Sequence, residues 1–170
     1  MNQQRGRDFR GDRQQEKRLD ELWPDYLKGG YFDGEDEQGQ PRLKIEYVAR
    51  EKVEPLVREM SEAWPHLTMH QLRRFFQHCR AIEAKLKQSS SQGEQARLWA
   101  SERANFAKLD SAAADAFGKS QKKIPRLFHD FIQRNVAAVK TEKEFLKGFL
   151  PHFEALVGFG ARHLNERDRN

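Results

Sequence analysis

TMHQLRRFFQHCRAIEAKL, residues 68–86, is the clearest amphipathic helix in the chain. Thr68 followed by Gln71 is a capping-box pattern, in which the hydroxyl accepts an N–H of the first turn and the amide reaches back to the cap. Leu72, Phe75, Phe76, Cys79, Ile82 and Leu86 then step by three and four, so they share one face. The same periodicity recurs on either side. Upstream, Val53, Leu56, Val57 and Met60 form a stripe that Pro65 ends, with Pro55 expected in the first turn, where backbone N–H groups lack an intrahelical acceptor. Downstream, SSSQG at 89–93 breaks the pattern. Residues 95–119 then form one helix or a pair, with Asp110 as a cap at an internal break and Gly118 as the close. Pro125 suits a first helical position ahead of Phe128, Phe131, Ile132, Val136 and Val139. Thr141 and Glu144 repeat the capping-box pattern before Phe145, Leu146, Phe149, Phe153, Leu156, Val157 and Leu164, with a kink or division expected at Pro151.

Before these helices, Leu19, Leu22, Trp23, Tyr26 and Leu27 recur at helical spacing, which predicts a short helix kinked at Pro24 and stopped by Gly29-Gly30. YFDGEDEQGQP, residues 31–41, is too rich in Gly, Asp and Pro for a long regular element, and Leu43, Ile45 and Tyr47 alternate after it. A loop with one extended segment is expected there. The fold class that results is all-α: a five- to six-helix bundle with no strand ladder and a disordered basic N-terminal arm. Its divisions are an arm at 1–18, a single helical domain at 19–165 and a flexible tail at 166–170. The arm is assigned because Phe9 is the one large apolar side chain among its Gln, Arg, Gly and Asp residues, too little to offset the entropy of ordering them.

The chain has 170 residues with 31 Lys+Arg against 26 Asp+Glu, a formal charge of +5. That length suffices for one domain with a real core. Charged residues make up 34% and hydrophobic ones 37%, which leaves no apolar run long enough for a membrane span. The N-terminus shows no signal-peptide core, so a cytoplasmic location is expected. The single cysteine, Cys79, cannot make an internal disulfide and lies on the apolar stripe, where a thiol acts as a small hydrophobe. His66 and His70 are four apart but straddle the Thr68 cap, and there is no H-E-x-x-H, Cys pair, phosphate loop or nucleophile elbow. No metal and no cofactor are expected. Arg73 and His78 have the spacing of the Arg-His pair in helical HEPN ribonucleases, in which the Arg would stabilise phosphate charge and the His move a proton. That makes an RNA-cleaving enzyme the alternative function.

Positive charge is concentrated in two places. With the apolar stripe turned inward, Arg73, Arg80 and Lys87 fall on one outer edge of the 68–86 helix and Arg74 and Lys85 on its neighbour, with Glu83 the one acid between Arg73 and Lys87. Lys119, Lys122, Lys123 and Arg126 form a second cluster beside a helix N-terminus, whose free N–H groups also favour phosphate. Two such clusters suit a nucleic-acid backbone, whereas surface charge that only solubilises helices is the plainer explanation. No zinc finger, RNP strand or GXXG loop is present, and the phenylalanines fall on core stripes, so binding is expected to be directed at the backbone and sensitive to salt.

Three segments in order, YFD…LKIEYV (31–48), LTMHQLRRFFQHCRAIEAKL (67–86) and KKIPRLFHDFIQRNVAAVKTEKEFLKGFLPHFEALVGF (122–159), resemble the small subunit of type III-A CRISPR (Csm) effector complexes. The basic arm, the insertion SSSQGEQARLWASERANF and Pro151 depart from that pattern. The resemblance implies an all-helical, non-catalytic RNA-binding subunit, present in several copies, that stacks along the guide RNA–target RNA duplex and helps monitor complementarity. It implies partnership with the large polymerase-like subunit and the backbone subunits, which carry the cleavage chemistry. Self-association along the filament is implied too. A dimer of the isolated chain could hinge at Gly29-Gly30 or SSSQG. Carried onto this sequence, the resemblance offers Arg73, Arg74 and Arg80, then Lys122 and Lys123, as contacts to the duplex.

Overall fold

The computed structural model describes residues 15–166, so most of the expected arm and all but Glu166 of the expected tail lie outside the described residues. Six α-helices carry the architecture: α1 Leu19–Leu22, α2 Arg50–Glu62, α3 Met69–Lys87, α4 Gln92–Gly118, α5 Arg126–Ala138 and α6 Leu150–Gly160. The all-α expectation holds. The capping box of α3 forms in both directions: Thr68 Oγ1 accepts the Gln71 N–H at 3.2 Å, and Gln71 Oε1 accepts the Thr68 N–H at 3.0 Å. Leu72, Cys79, Ile82 and Leu86 are fully buried, while Phe75 and Phe76 are half-buried on the flanks of the stripe. α3 lies against α4 and α6, and the same core takes in Val53, Leu56, Val57 and Met60 of α2 and Leu127, Phe128, Phe131 and Ile132 of α5. Phe131 stands at the centre of an aromatic cluster, 5.6 Å from the Phe153 ring and 6.4 Å from that of Phe149. These rings are core, as their spacing predicts.

Five local expectations are corrected. The first helix is one turn only. Trp23 precedes Pro24, which disfavours helical backbone at Trp23, and the chain continues as turns with positive φ at Asp25, Leu27, Gly29 and Gly30. Leu19, Trp23 and Tyr26 are nevertheless buried. Second, residues 31–47 contain a small antiparallel hairpin, β1 Phe32–Glu35 with β2 Pro41–Leu43, whose turn is set by the Asp36 carboxylate accepting the N–H groups of Gln38 and Gln40. A 3₁₀ turn at Ile45–Tyr47 follows, so Ile45 points outward at 77% exposure and the expected alternation fails. Third, α2 begins at Arg50, which places Pro55 in its second turn; the Arg50–Glu54 pair at 2.9 Å spans that added turn. Fourth, α4 is one continuous 27-residue helix capped by Ser91, with no break at Asp110. Its alanine-rich run from 104 to 116 has no Gly or Pro to interrupt it. Pro125 also sits one position earlier than expected, as the N-cap of α5.

The second capping box, Thr141 with Glu144, forms as predicted. Between it and Pro151 the helix widens to a π-helical turn, Glu144–Phe149, which runs straight into α6. A wider turn absorbs the backbone bond that Pro151 cannot donate, so the expected disruption is a local bulge. At this bulge Gly148 meets the ring of Tyr31, and a Cβ built there would lie 2.6 Å from Tyr31 Cγ.

The deepest polar groups join the N-terminal turns to α5 and α6. Tyr31 donates its hydroxyl to Asn135 Oδ1 at 2.7 Å, and Asn135 Nδ2 donates to the Tyr26 oxygen and the Phe131 carbonyl, each at 2.8 Å. His152 Nδ1 faces the Tyr47 carbonyl, which can only accept, so Nδ1 carries the proton and Nε2 accepts from the Tyr26 hydroxyl at 2.7 Å. Burial lowers the His152 pKa from 6.5 to about 4.

Two outcomes follow for stability. Gly148→Ala should destabilise the fold by about 1–3 kcal/mol in urea titrations, because the added methyl must displace the Tyr31 ring. For His152, the unfolded chain binds the proton near pH 6.5 and the folded chain only near pH 4, so below pH 6.5 the unfolded state holds more protons. The contribution of neutral His152 is therefore complete above about pH 6.5 and declines down to about pH 4, a slope that His152→Gln should flatten in denaturation series run between those limits.

Candidate nucleic-acid interface

Helix α3 carries its cations on two separate faces. Arg73, Arg80 and Lys87 align at seven-residue intervals, and Arg74 lies about 100° around the helix from Arg73. The first face is neutralised from within the chain. Arg73 Nη1 is 3.1 Å from Glu166 Oε2. Arg80 Nη1 is 2.7 Å from Glu83 Oε2, and Lys87 pairs with the other oxygen of the same carboxylate. Glu83 is only 6% exposed, so the one acid in this basic stretch is held at its centre. Three cations thus face two carboxylates, a net of +1.

The second face opens on a cleft shared by three elements. Arg74 comes from α3, Lys108 and Asp115 from α4, and Lys119 and Lys123 from the turn between α4 and α5. That turn is fixed by Gln71 Nε2 donating to the Lys123 carbonyl at 2.7 Å and by the Lys123 N–H donating to the Ala116 carbonyl at 2.9 Å. Lys119 pairs with Asp115 at 2.8 Å, whereas Arg74, Lys108 and Lys123 make no ion pair with any described residue. Four cations against one carboxylate give the cleft a net of +3. Lys108 is the member that sequence inspection misses, since it stands among mixed charges on α4 and joins the others only through helix packing.

The remaining predicted cations lie elsewhere. Lys85 turns to α4 and pairs with Glu102 at 3.3 Å. Lys122 rests with its Nζ 4.5 Å above the Phe117 ring, and Arg126 is 3.8 Å from Asp130. Both line a neighbouring groove. At the helix N-terminus beside them the Glu16 carboxylate accepts one of the free donors, the Leu127 N–H, at 3.0 Å.

Arg73 and His78 are not brought together. They stand about 140° apart around α3, with Arg73 on Glu166 and His78 Nε2 donating to the Asn105 carbonyl at 2.8 Å. Among the described residues no cluster of three His, Cys, Asp or Glu side chains could hold a metal, and no helix is long and apolar enough to cross a membrane.

A family model described as Csm2 Type III-A matches residues 49–164. The chain belongs to this family. As a Csm2-family protein it is the small subunit of a type III-A CRISPR complex that contains further subunits, and its role there is structural. The match takes in α2 through Leu164, including every cation named above, and leaves out the 31–48 segment. No curated protein and no solved structure gives a significant match to the chain.

Cys79, the one thiol of this Csm2-family chain, is fully buried, and burial pushes its pKa up to about 12. A thiolate is the reactive form. A chromogenic disulfide reagent at pH 8 should therefore label the folded protein at least about 100-fold more slowly than the urea-unfolded chain, because burial suppresses both thiolate formation and reagent access.

Proposed function

We propose that this small subunit binds the guide RNA–target RNA duplex through its sugar-phosphate backbone, without reading sequence, and that the cleft of Arg74, Lys108, Lys119 and Lys123 is the principal contact. The observation that carries this reading is the convergence of three elements on one cationic cleft in which three of the four cations keep their charge free of described acids. A polyanion gains most where it releases counterions from cations not already neutralised. Arg73, Arg80, Lys85 and Lys87 contribute less, because contact with phosphate must compete with Glu166, Glu83 and Glu102. Lys122 and Arg126 extend the surface past the cleft. A-form duplexes are recognised mainly by shape and backbone, which suits a rigid groove with no base-reading motif. In the assembly several copies stack along the duplex in the cytoplasm, supporting it while complementarity is monitored, and the chain performs no cleavage itself.

Binding of unrelated RNA duplexes should weaken with salt by roughly 0.9 log units per log unit for each phosphate neutralised. Arg74→Ala with Lys123→Ala should reduce that slope by about two and lower affinity equally for every sequence, while Arg80→Ala with Lys87→Ala has a smaller effect. Fluorescence anisotropy at 50–200 mM salt measures both. Unchanged affinity of the Arg74/Lys123 variant would remove the cleft from the interface, and RNA cleavage lost with His78→Ala would make the chain a nuclease.

A further inference from the structure

Trp64 is the most exposed large apolar side chain among the described residues, at 83%, whereas Trp23 and Trp99 are 3% and 4% exposed. Its one aromatic neighbour there is His66, nearly perpendicular at a ring distance of 5.3 Å, so a face of the indole stays open. An indole has a large apolar face that a flat ring can stack on. Trp64 borders the groove that Arg18, Lys122 and Arg126 line. Two acids share this groove, Glu16 accepting the Leu127 N–H and Glu21 the Arg18 N–H, so three cations face two carboxylates, a net of +1, and Arg126 is also 3.8 Å from Asp130. On the other side of Trp64 lie Glu59, which pairs with Lys17 at 3.8 Å, and Glu62. Lys122 lines this groove and the next residue, Lys123, lines the Arg74 cleft, so one turn carries cations into both depressions.

We propose that Trp64 is a stacking platform for an unpaired RNA nucleotide at the edge of the cationic surface, with Arg18, Lys122 and Arg126 holding the adjoining phosphates. The inference rests on the RNA-binding function proposed above and adds to it a preference for unpaired bases. An open indole face beside cations is the combination that single-stranded nucleic acid favours, since every base offers a π-face and stacking needs no sequence. A protein partner could also cover an exposed tryptophan, but cations on the groove side and their continuity with the Arg74 cleft favour a polyanion that carries aromatic bases.

The test uses the full chain and a short unstructured RNA, compared with a blunt duplex of the same length. Because the other two tryptophans are buried, a change of intrinsic fluorescence on binding reports Trp64. Single-stranded RNA should quench it and the blunt duplex should quench it less. Trp64→Ala should weaken single-strand binding about 5- to 100-fold, Trp64→Phe should keep most of the affinity, and duplex binding should barely change. Equal single-strand affinity for Trp64→Ala and wild type, while Arg74→Ala with Lys123→Ala still weakens duplex binding, overturns the stacking site alone. No RNA binding by wild type overturns both proposals. Unchanged RNA binding with failure of Trp64→Ala to join the Csm complex overturns stacking in favour of a protein contact.

Discussion

Asn135 is the residue through which the two halves of this chain are joined. It is fully buried on α5, and its amide connects Tyr31, Tyr26 and the Phe131 carbonyl, with His152 continuing the chain of bonds to Tyr47. Every polar atom in this set has a partner of the right kind, which is the condition under which buried polar groups specify a structure without destabilising it. The N-terminal turns are held to the bundle by this network together with the burial of Leu19 and Trp23 and the Arg134–Asp20 pair at 2.8 Å. Asp25 and Leu27 sit at positive φ, a region that costs roughly a kcal/mol or more for a side chain with a Cβ, and such backbone persists only where tertiary contacts over-determine it. Tyr26, between them, is anchored at its hydroxyl by Asn135 and His152, and the Arg134 guanidinium donates to its carbonyl at 2.8 Å.

The π-helical turn serves the same junction. By widening ahead of Pro151 it lets the helix run on from the Thr141 cap into α6, which carries His152 to Tyr26 and Tyr47. Gly148 within it admits the Tyr31 ring at a distance that no side chain would allow, and the same ring presents its hydroxyl to Asn135. One proline and one glycine, each unfavourable in a regular helix, are thus reconciled by a single irregularity that seats the hairpin segment against the bundle.

The regular parts of this fold were legible because their signals are local. Thr68 with Gln71, Thr141 with Glu144, and the stripes between them need nothing beyond neighbours on the same helix. Where the sequence misleads, the deciding contact is remote or the local cue is ambiguous. Asp110 has the chemistry of a cap, but alanines on both sides keep the helix going. Asp36 and Gly39 make a hairpin without the apolar alternation by which strands are recognised. The cations were legible as residue types and as faces of one helix. Their partners were not, because Glu166, Glu102 and Glu16 are far along the chain from Arg73, Lys85 and Leu127. Lys108 joins the cleft only once α4 is packed on α3.

Two opposite arrangements of carboxylate and cation therefore distinguish the two faces of α3. Glu83 is buried to the point where an unpaired carboxylate would be costly, and Arg80 and Lys87 relieve that cost by reaching back to it from either side. Withdrawing them would return the cost, so their charge is committed within the chain. On the other face the wall contributed by α4 includes two small side chains, Ala112 and Ala116, beside Leu109 and among Lys108, Asp115 and Lys119. Small residues leave the space open, and the single acid there is matched by Lys119 from the next turn of the helix. Arg74 and Lys123 consequently face a cavity rather than a carboxylate. A phosphate placed there would displace water and counterions without breaking an ion pair of Arg74, Lys108 or Lys123, which is why the proposed contact is assigned to this face.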